Sequence, residues 1–282
     1  MLSSTPAPSN PHESSLTSDC AIALELADIA DNFTYPAFMN ADFHVERKAD
    51  MTLVTEADRG TEDALRARLA VLRPDDAILG EERGTSTSSH NRRWIIDPID
   101  GTHNYVRGVP VWATLIALEV NGNIEVGVVS APALNRRWYG ARGQGAFRVL
   151  GTTPGCQRGA PKPLSVSRVA ELSDASLSYS SLHGWKTQGL DQGFHHLMQR
   201  MWRTRAYGDF WSYMLLAEGS VDIAAEPDLE LYDMAALVPI VTEAGGTFTD
   251  LQGSPGPWGA AAVATNTLLH TAALNVINSP HK

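Results

Sequence analysis

Residues 94 to 102 read Trp-Ile-Ile-Asp-Pro-Ile-Asp-Gly-Thr, an apolar run that ends in two carboxylates. The apolar residues before Asp97 predict a buried strand, because short continuous apolar runs are typical of strands covered on both faces. Pro98 has no backbone N–H, so we expect the hydrogen-bond ladder of this strand to stop there. Gly101 permits a close approach of the backbone to a ligand.

The end of this strand combines groups that attract cations with groups that attract anions. Asp97 and Asp100 suit a pair of hard cations, which prefer carboxylate oxygens. The backbone N–H groups where Gly101 leads into a short helix at Thr102 suit phosphate oxygens. Carboxylates repel phosphate, so both features serve one site only if cations lie between them. The alternative is an Asp-Pro turn with a helix cap, since turns are rich in these residues.

Apolar periodicity predicts helices and strands on both sides of this stretch. Asn121-Gly122 predicts a hairpin between two of the strands, because this dipeptide favours the tight turns that join antiparallel strands. Ser18 or Asp19 is expected to cap the first helix, and Arg73-Pro74 to end the second. In the first half we expect helices over 19–38 and 55–72 and strands over 77–80, 93–97, 111–120, 124–130, 137–141 and 146–149.

The segment 151–163 is rich in Gly and Pro and predicts a boundary between two halves. We expect a flexible leader over 1–18, an N-terminal α+β domain over 19–155 and a C-terminal α/β domain over 156–282. In the C-terminal half the pattern predicts strands over 176–180, 223–225, 247–249 and 261–264, and helices over 190–202, 210–216, 235–244 and from 268 onward.

Composition excludes several classes of function. The 282 residues carry a formal net charge of −10, which disfavours binding to nucleic acid or to anionic membranes. Only two cysteines are present, as expected for a reducing compartment. No apolar run approaches the ~18 residues of a membrane span. The first positive side chain is Arg47, so a secretory or transit signal is not expected, and we predict a cytoplasmic location.

Four blocks, in order, resemble the inositol monophosphatase family of magnesium-dependent phosphomonoesterases, and the resemblance covers about residues 20–280. Taken alone, Glu81 reads as a surface residue and Asp233 as a helix cap. The four blocks are Lys48 to Asp58, Gly80-Glu81-Glu82, Trp94 to Thr102, and Tyr232 to Ala236 running on to Glu243-Ala244-Gly245-Gly246.

The resemblance implies a fold and a metal site. The fold would be a layered αβαβα sandwich, and the active enzyme a homodimer. Two to three Mg²⁺ ions would bind in each active site, the weaker third ion through Glu81 and water. The ligands implied are Glu81, Asp97 and the Ile99 carbonyl for the first ion, and Asp97, Asp100 and Asp233 for the second. Asp50 and Lys48 would be accessory residues nearby.

The resemblance also implies a mechanism. Gly101 and Thr102 would bind the phosphate, and Thr102 with Glu81 would activate a water for in-line attack, with Asp97 as a catalytic metal ligand. We expect no covalent phosphoenzyme, because no Cys or Asp lies in a phosphoenzyme motif.

The second half of the chain departs from the pattern of inositol-type members. Gly208-Asp209-Phe210-Trp211-Ser212-Tyr213 carries a carboxylate where those members have small or hydroxyl residues, and it resembles the histidinol-phosphate phosphatase branch. Glu226 matches a family residue that contacts the leaving group. Asp209 and Glu226, with Asp100, would hold the cationic groups of histidinol phosphate, an intermediate of histidine biosynthesis. Asp209 is alternatively a helix cap only, and Arg205 either approaches the substrate or pairs structurally.

The leading hypothesis is therefore hydrolysis of L-histidinol phosphate to L-histidinol and phosphate. The alternative in the same class is an inositol-1-phosphate phosphatase. A remote alternative is a non-catalytic protein that binds a phosphorylated metabolite, which the intact ligand set disfavours. Enzymes that recognise a second phosphate are disfavoured because we find no basic cluster.

Overall fold

The computed structural model describes residues 11–41, 44–47, 53–86 and 91–279. Residues 1–10 of the expected leader lie outside the described residues, as do Lys48 and Asp50.

The described chain begins with two helices linked through a small antiparallel sheet. These elements are α1 (Pro11–Asn40), β1 (Val45–Arg47), β2 (Leu53–Thr55) and α2 (Glu56–Leu72). The predicted start of α1 at Ser18 or Asp19 is wrong, because the helix already includes residues 11–18 of the expected leader. Proline suits the first helical position, where its missing N–H costs no hydrogen bond. The start of α2 agrees with prediction: the Thr55 side chain accepts hydrogen bonds from the amides of Ala57 and Asp58.

An eight-stranded sheet forms the first half, in the order β10-β9-β8-β7-β6-β5-β3-β4. Only β3 and β5 of this sheet run parallel, and the other neighbouring strands are antiparallel. The strands are β3 (Ala77–Gly80), β4 (Gly84–Thr85), β5 (Arg92–Asp100), β6 (Ala113–Val120), β7 (Asn123–Ala131), β8 (Arg136–Ala141), β9 (Gly145–Leu150) and β10 (Lys162–Pro163).

Pro98 does not end β5, which corrects the prediction from sequence. The strand continues to Asp100, and its register against β6 shifts between the pairs Asp97–Leu115 and Asp100–Ala113. The irregularity accommodates the missing donor of Pro98, whose carbonyl accepts a hydrogen bond from the Thr114 hydroxyl.

A five-stranded mixed sheet forms the second half, in the order β12-β11-β13-β15-β14. Its strands are β11 (Ser176–Ser178), β12 (Arg203–Arg205), β13 (Ile223–Glu226), β14 (Thr247–Thr249) and β15 (Ala262–Thr265). The remaining helices are α3 (Thr102–Val106), α4 (Leu182–Thr187), α5 (Asp191–Arg200), α6 (Asp209–Ala217), α7 (Leu231–Met234), α8 (Leu237–Glu243) and α9 (His270–Ile277), with short 3₁₀ turns at Pro132–Leu134 and Leu172–Asp174.

The elements stack in five layers, which confirms the predicted αβαβα sandwich. Helices α1 and α2 cover the outer face of the first sheet, where Trp94 and Ile96 of β5 are buried. Ile95 of the same strand points to the opposite face, where α6 and α8 pack between the two sheets. Helices α4, α5 and α9 cover the second sheet from outside. Among the described residues, no helix is both long and apolar enough to span a membrane.

The segment 151–163 connects β9 to an edge strand of the same sheet rather than to the second sheet. Strand β10, at Lys162–Pro163, still pairs with β9. The change from one sheet to the other therefore falls between Pro163 and Ser176, later in the chain than the expected boundary at 155. A Gly- and Pro-rich segment indicates an irregular connection, and it does not indicate which sheet the chain enters next.

Helix α8 packs closely on the first sheet at Gly127 of β7, and a substitution there tests this packing. A Cβ at Gly127 would lie 2.2 Å from the Ala236 carbonyl oxygen and 2.7 Å from Pro239 Cγ. We expect Gly127→Ala to lower the free energy of unfolding by about 1–3 kcal/mol, the usual cost of overpacking a core. The measurement is denaturant unfolding.

Gly60→Ala is the matched control. Gly60 lies inside α2, and a Cβ there would have no heavy atom of another described element within 4 Å. Alanine should stabilise this helix by roughly 0.5–1 kcal/mol. A Gly127→Ala protein as stable as the wild type would contradict the packing described.

Candidate metal centre and active site

The ends of two parallel strands bring the acidic residues of the first half together. Strands β3 and β5 pair in parallel, with Gly80 opposite Ile96. Glu81 follows directly after β3, and its amide donates a 3.1 Å hydrogen bond to the Ile96 carbonyl. Asp97 therefore lies at the same edge of the sheet as Glu81. The two side chains are close enough for Glu81 to contribute to the raised pKa of Asp97.

The turn from Asp97 to Thr102 is fixed by its own backbone. The Ile99 amide donates a 2.9 Å hydrogen bond to Asp97 Oδ1, which orients that carboxylate. Gly101 has a φ of +83°, and a Cβ there would lie 2.9 Å from the Val111 carbonyl oxygen. Both the left-handed conformation and the close approach require glycine. Thr102 then begins α3, as predicted.

Asp233 reaches the same place from the second half of the chain. It lies in the first turn of α7, where its Oδ2 accepts a 2.8 Å hydrogen bond from the Glu230 amide. Ligand oxygens of Asp97, Asp100 and Asp233 all lie within 4.8 Å of one another. The structure thus assembles three of the four expected carboxylate ligands into one cluster, with Glu81 beside it.

Burial and mutual repulsion disfavour the charged form of this cluster. Burial, followed by the charges of Glu81, Asp100 and Asp233, holds the pKa of Asp97 well above its usual range. Burial and the charges of Asp209 and Asp233 do the same to the pKa of Asp100. Burial is also the main cause that raises the pKa of Asp233 to about 7.

The donor set fits hard divalent cations. The cluster consists of carboxylate oxygens, and among the described residues that line its cavity none is Lys or Arg. Cations would offset the repulsion that raises these pKa values, and oxygen donors are what Mg²⁺ prefers. The Ile99 carbonyl, the expected backbone ligand, belongs to a residue that lines the same cavity.

A cavity of about 430 Å³ opens over the cluster. It is lined by residues from both halves of the chain, so a molecule held there contacts both. The lining includes Glu81, Asp97, Asp100 and Asp233, then Gly101, Thr102, His103 and Asn104, and finally Ser180, Ser181, Tyr207 and Asp209.

The Thr102 hydroxyl lies beside Asp58, a residue to which no role was assigned from the sequence. The Thr102 hydroxyl lies 3.0 Å from the Ile99 carbonyl oxygen and 3.4 Å from Asp58 Oδ1. Asp58 is fully buried, and its Oδ2 accepts hydrogen bonds from the amide and hydroxyl of Thr55. Burial raises the pKa of Asp58 to about 6 despite these bonds. In the sequence, Thr55-x-x-Asp58 is a capping pattern. It predicts the start of a helix, but it carries no information about a contact with Thr102.

Asp209 lines the cavity and is not a helix cap. It is the first residue of α6, which follows Gly208, and no described hydrogen bond joins its side chain to an amide of that helix. Instead its Oδ2 accepts a 2.9 Å hydrogen bond from the Asn104 side chain on α3. Its φ of +48° lies in the left-handed region, which Asp and Asn adopt more readily than most residues. Burial raises the pKa of Asp209 to about 6, although His103 and Asn104 act in the opposite direction.

Glu226 lies behind the cavity wall rather than in it. Its Oε2 accepts a 2.5 Å hydrogen bond from the Ser180 hydroxyl, and Ser180 Oγ in turn accepts one from the Asp209 amide. Burial raises the pKa of Glu226 to about 8. In this arrangement Ser180 lies between Glu226 and the Asp209 amide, and the direct contact of Glu226 with the leaving group stays a prediction.

Arg205 is not among the residues that line the cavity. It ends the edge strand β12, its side chain is exposed, and its guanidinium donates to the Thr204 carbonyl oxygen. This contact is with the preceding residue and not with the cavity, so the choice between its two expected roles stays a prediction. Tyr207 and Ser181 line that side of the cavity instead. Nothing in the sequence distinguishes these two residues, because Tyr and Ser near a glycine are common in loops.

Comparison with known proteins identifies the family of this chain. The model of the inositol monophosphatase family matches residues 15–279. The chain belongs to the inositol monophosphatase family. Members of this family are metal-dependent, in keeping with the carboxylate cluster.

Relatives within the inositol monophosphatase family include two proteins named histidinol-phosphatase. The one from Mycobacterium tuberculosis is 54% identical over 261 residues, 93% of this chain and 98% of the relative. The one from Streptomyces coelicolor is 53% identical over 264 residues, 92% of this chain and 97% of the relative. A solved structure, the extragenic suppressor protein suhB from Bartonella henselae, matches with a TM-score of 0.83 at 25% identity, covering 94% of this chain and all of that one.

The raised pKa values predict how stability depends on pH when metal is removed. Asp209, Asp233 and Glu226 have pKa values of about 6, 7 and 8 in the folded protein. The folded state therefore holds more protons than the unfolded chain, whose carboxyls titrate near ~4. Stability is greatest at low pH within this range and falls as pH rises from about 4 to about 8.

Thermal unfolding in chelator and in excess Mg²⁺ checks this prediction. Mg²⁺ should restore the part of the stability lost at pH 8 that comes from Asp233 and its neighbours in the carboxylate cluster, because bound cations replace their protons. Asp233→Asn should lower both the pH dependence and the effect of Mg²⁺. Equal pH dependence with and without Mg²⁺ would show that the cluster does not bind it.

Proposed function

We propose that this protein is a Mg²⁺-dependent phosphatase that hydrolyses L-histidinol phosphate to L-histidinol and inorganic phosphate, a step of histidine biosynthesis. The observation that carries the proposal is the Asp209 carboxylate in the wall of the metal cavity. The two relatives named histidinol-phosphatase support the same substrate.

Charge favours a substrate with a cationic leaving group. Cations bound at Asp97, Asp100 and Asp233 would offset the charge of that cluster and of the substrate phosphate. Asp209 is then a further carboxylate in the cavity, held in place by Asn104. L-histidinol carries an ammonium, and an ammonium–carboxylate hydrogen bond is worth about 1.5–3 kcal/mol. Among the described residues that line the cavity, His103 is the only one with a basic side chain, and it lies near Asp209.

Different residues of the chain have different roles in the proposed reaction. Glu81, Asp97, Asp100, Asp233 and the Ile99 carbonyl would hold two to three Mg²⁺ ions. Bound Mg²⁺ supplies charge neutralisation, lowers the pKa of a coordinated water and stabilises the leaving oxygen.

Thr102 and Glu81 would then orient the attacking water in line with the leaving oxygen. The Thr102 proton is directed to Asp58 or to the Ile99 carbonyl, which leaves the hydroxyl oxygen free to accept from that water. The water oxygen would bond to phosphorus and give up a proton to Glu81, the bond from phosphorus to the leaving oxygen would break, and the departing alkoxide would take up a proton from solvent, to which Glu81 returns its own. Gly101 and Thr102 would bind the phosphate oxygens through their backbone.

An inositol-1-phosphate phosphatase is the less favoured alternative, because a neutral polyol brings no cationic group to pair with Asp209. A non-catalytic binding protein is disfavoured because every expected carboxylate ligand lies at the cavity together with Thr102.

We further propose that the enzyme is a cytoplasmic homodimer. The two thiols, Cys20 and Cys156, are free, which suits a reducing compartment. The dimer follows from the family resemblance.

Asp97→Asn tests the role of the metal cluster. Asparagine keeps the shape of Asp97 but removes the charge that two cations would share. We expect the rate of phosphate release from L-histidinol phosphate to fall by about three orders of magnitude, since metal activation supplies several kcal/mol. Chelator should abolish wild-type activity, and the exposed Asp63→Asn should leave it unchanged. Full activity of Asp97→Asn would refute the proposed metal role.

Asp209→Asn tests the choice of substrate. Asparagine suits the positive φ of this position, so the backbone should be preserved. We expect kcat/KM for L-histidinol phosphate to fall about 10- to 150-fold, the equivalent of one charge-assisted hydrogen bond. Hydrolysis of glycerol 2-phosphate, which has no ammonium, should change little. A wild-type preference for inositol 1-phosphate, or an unaffected Asp209→Asn enzyme, would contradict the proposed substrate.

A further inference from the structure

The turn that carries Glu81 is short and is fixed from outside. Residues 81–83 connect β3 to β4, which pair antiparallel with Gly80 opposite Gly84. The Glu81 amide donates to the Ile96 carbonyl of β5, as described above. The position of the Glu81 carboxylate therefore depends on what holds the rest of this turn.

One buried carboxylate holds the other two amides of the turn. Glu62, on α2, has a side chain with no exposed surface. Its Oε2 accepts a 2.8 Å hydrogen bond from the Glu82 amide, and its Oε1 accepts a 3.2 Å hydrogen bond from the Arg83 amide. A charged acceptor for two backbone donors is a strong constraint on a three-residue turn.

Arg66 and Gly80 complete this arrangement. Arg66 Nε donates a 2.7 Å hydrogen bond to Glu62 Oε1, and its Nη2 donates to the Gly84 carbonyl oxygen at 2.5 Å. One arginine thus joins the Glu62 carboxylate to the far end of the turn. A Cβ at Gly80 would lie 2.0 Å from Glu62 Oε1, so only glycine leaves room for the carboxylate at the end of β3.

An exposed ion pair on the same turn provides a contrast. Asp63, the next residue of α2, pairs with the Arg83 side chain at 2.6 Å, and both side chains are about half exposed. Such a pair contributes little, because solvent screens it. The turn is therefore held by the buried contacts of Glu62 and Arg66.

We propose that Glu62 is a positioning residue for Glu81 and thereby sets the affinity of the metal centre. The proposal rests on the proposed function in one respect, the role of Glu81 as a metal ligand. Glu62 does not itself line the cavity. Residues that orient metal ligands commonly change metal affinity 10- to 100-fold when they are replaced.

Glu62→Gln tests the proposal with Asp63→Asn as the matched control. Glutamine keeps one oxygen acceptor, but its NH₂ group faces a second donor. Calorimetric titration of the substrate-free protein with Mg²⁺ should give a dissociation constant raised about 10- to 100-fold in Glu62→Gln and within about twofold of wild type in Asp63→Asn. At saturating Mg²⁺ most of kcat should return.

Unchanged Mg²⁺ affinity in a folded Glu62→Gln, or an equal loss in Asp63→Asn, would overturn the proposal, as would a wild-type protein that binds no Mg²⁺. If circular dichroism shows that Glu62→Gln does not fold, Arg66→Lys takes its place. Lysine keeps the charge but cannot bridge Glu62 and Gly84, so Mg²⁺ binding should weaken, and unchanged binding overturns the proposal. A wild-type protein that binds Mg²⁺ but does not hydrolyse histidinol phosphate contradicts only the proposed substrate.

Discussion

Carboxylates that lie within 4.8 Å of one another repel, and burial strengthens the repulsion because little water remains to screen it. Asp97, Asp100 and Asp233 come from β5 and from the start of α7, so the fold has to hold both elements against this force. It does so with the central core, where α6 and α8 pack between the two sheets. The same repulsion would be relieved by cations bound in the cavity, which is why the cluster suits them.

Each of the three carboxylates is fixed in the same way. One oxygen of each accepts a backbone N–H, from Ile99 for Asp97, from Phe210 for Asp100 and from Glu230 for Asp233. The second oxygen takes no part in that bond. Because backbone donors are held by the secondary structure, the cluster is preorganised before any ligand arrives. The Phe210 amide also connects the carboxylate cluster to the first turn of α6, which carries Asp209.

Local sequence pattern predicted the parts of the site that depend on short-range order. Asp97 and Asp100 follow an apolar strand within three residues, and Thr55 marks the start of α2. The αβαβα fold was predicted from four blocks of family resemblance.

Local pattern did not predict that β5 continues through Pro98, because the register shift depends on its partner strand β6. It also missed the contacts of Asp58 with Thr102 and of Asn104 with Asp209, which join residues 44 and 105 positions apart. Such contacts arise only when sheets and helices pack, and no local spacing records them.

The central claim is that this carboxylate cluster holds divalent cations, and anomalous diffraction from crystals grown with Mn²⁺ tests it most directly. Mn²⁺ takes the same oxygen ligands as Mg²⁺ and scatters anomalously. The account predicts at least two anomalous peaks in the cavity that share Asp97 as a ligand, one also bound by Glu81 and the other by Asp100 and Asp233. A map with no peak at Asp97, or with Mn²⁺ bound only elsewhere on the protein, would contradict it.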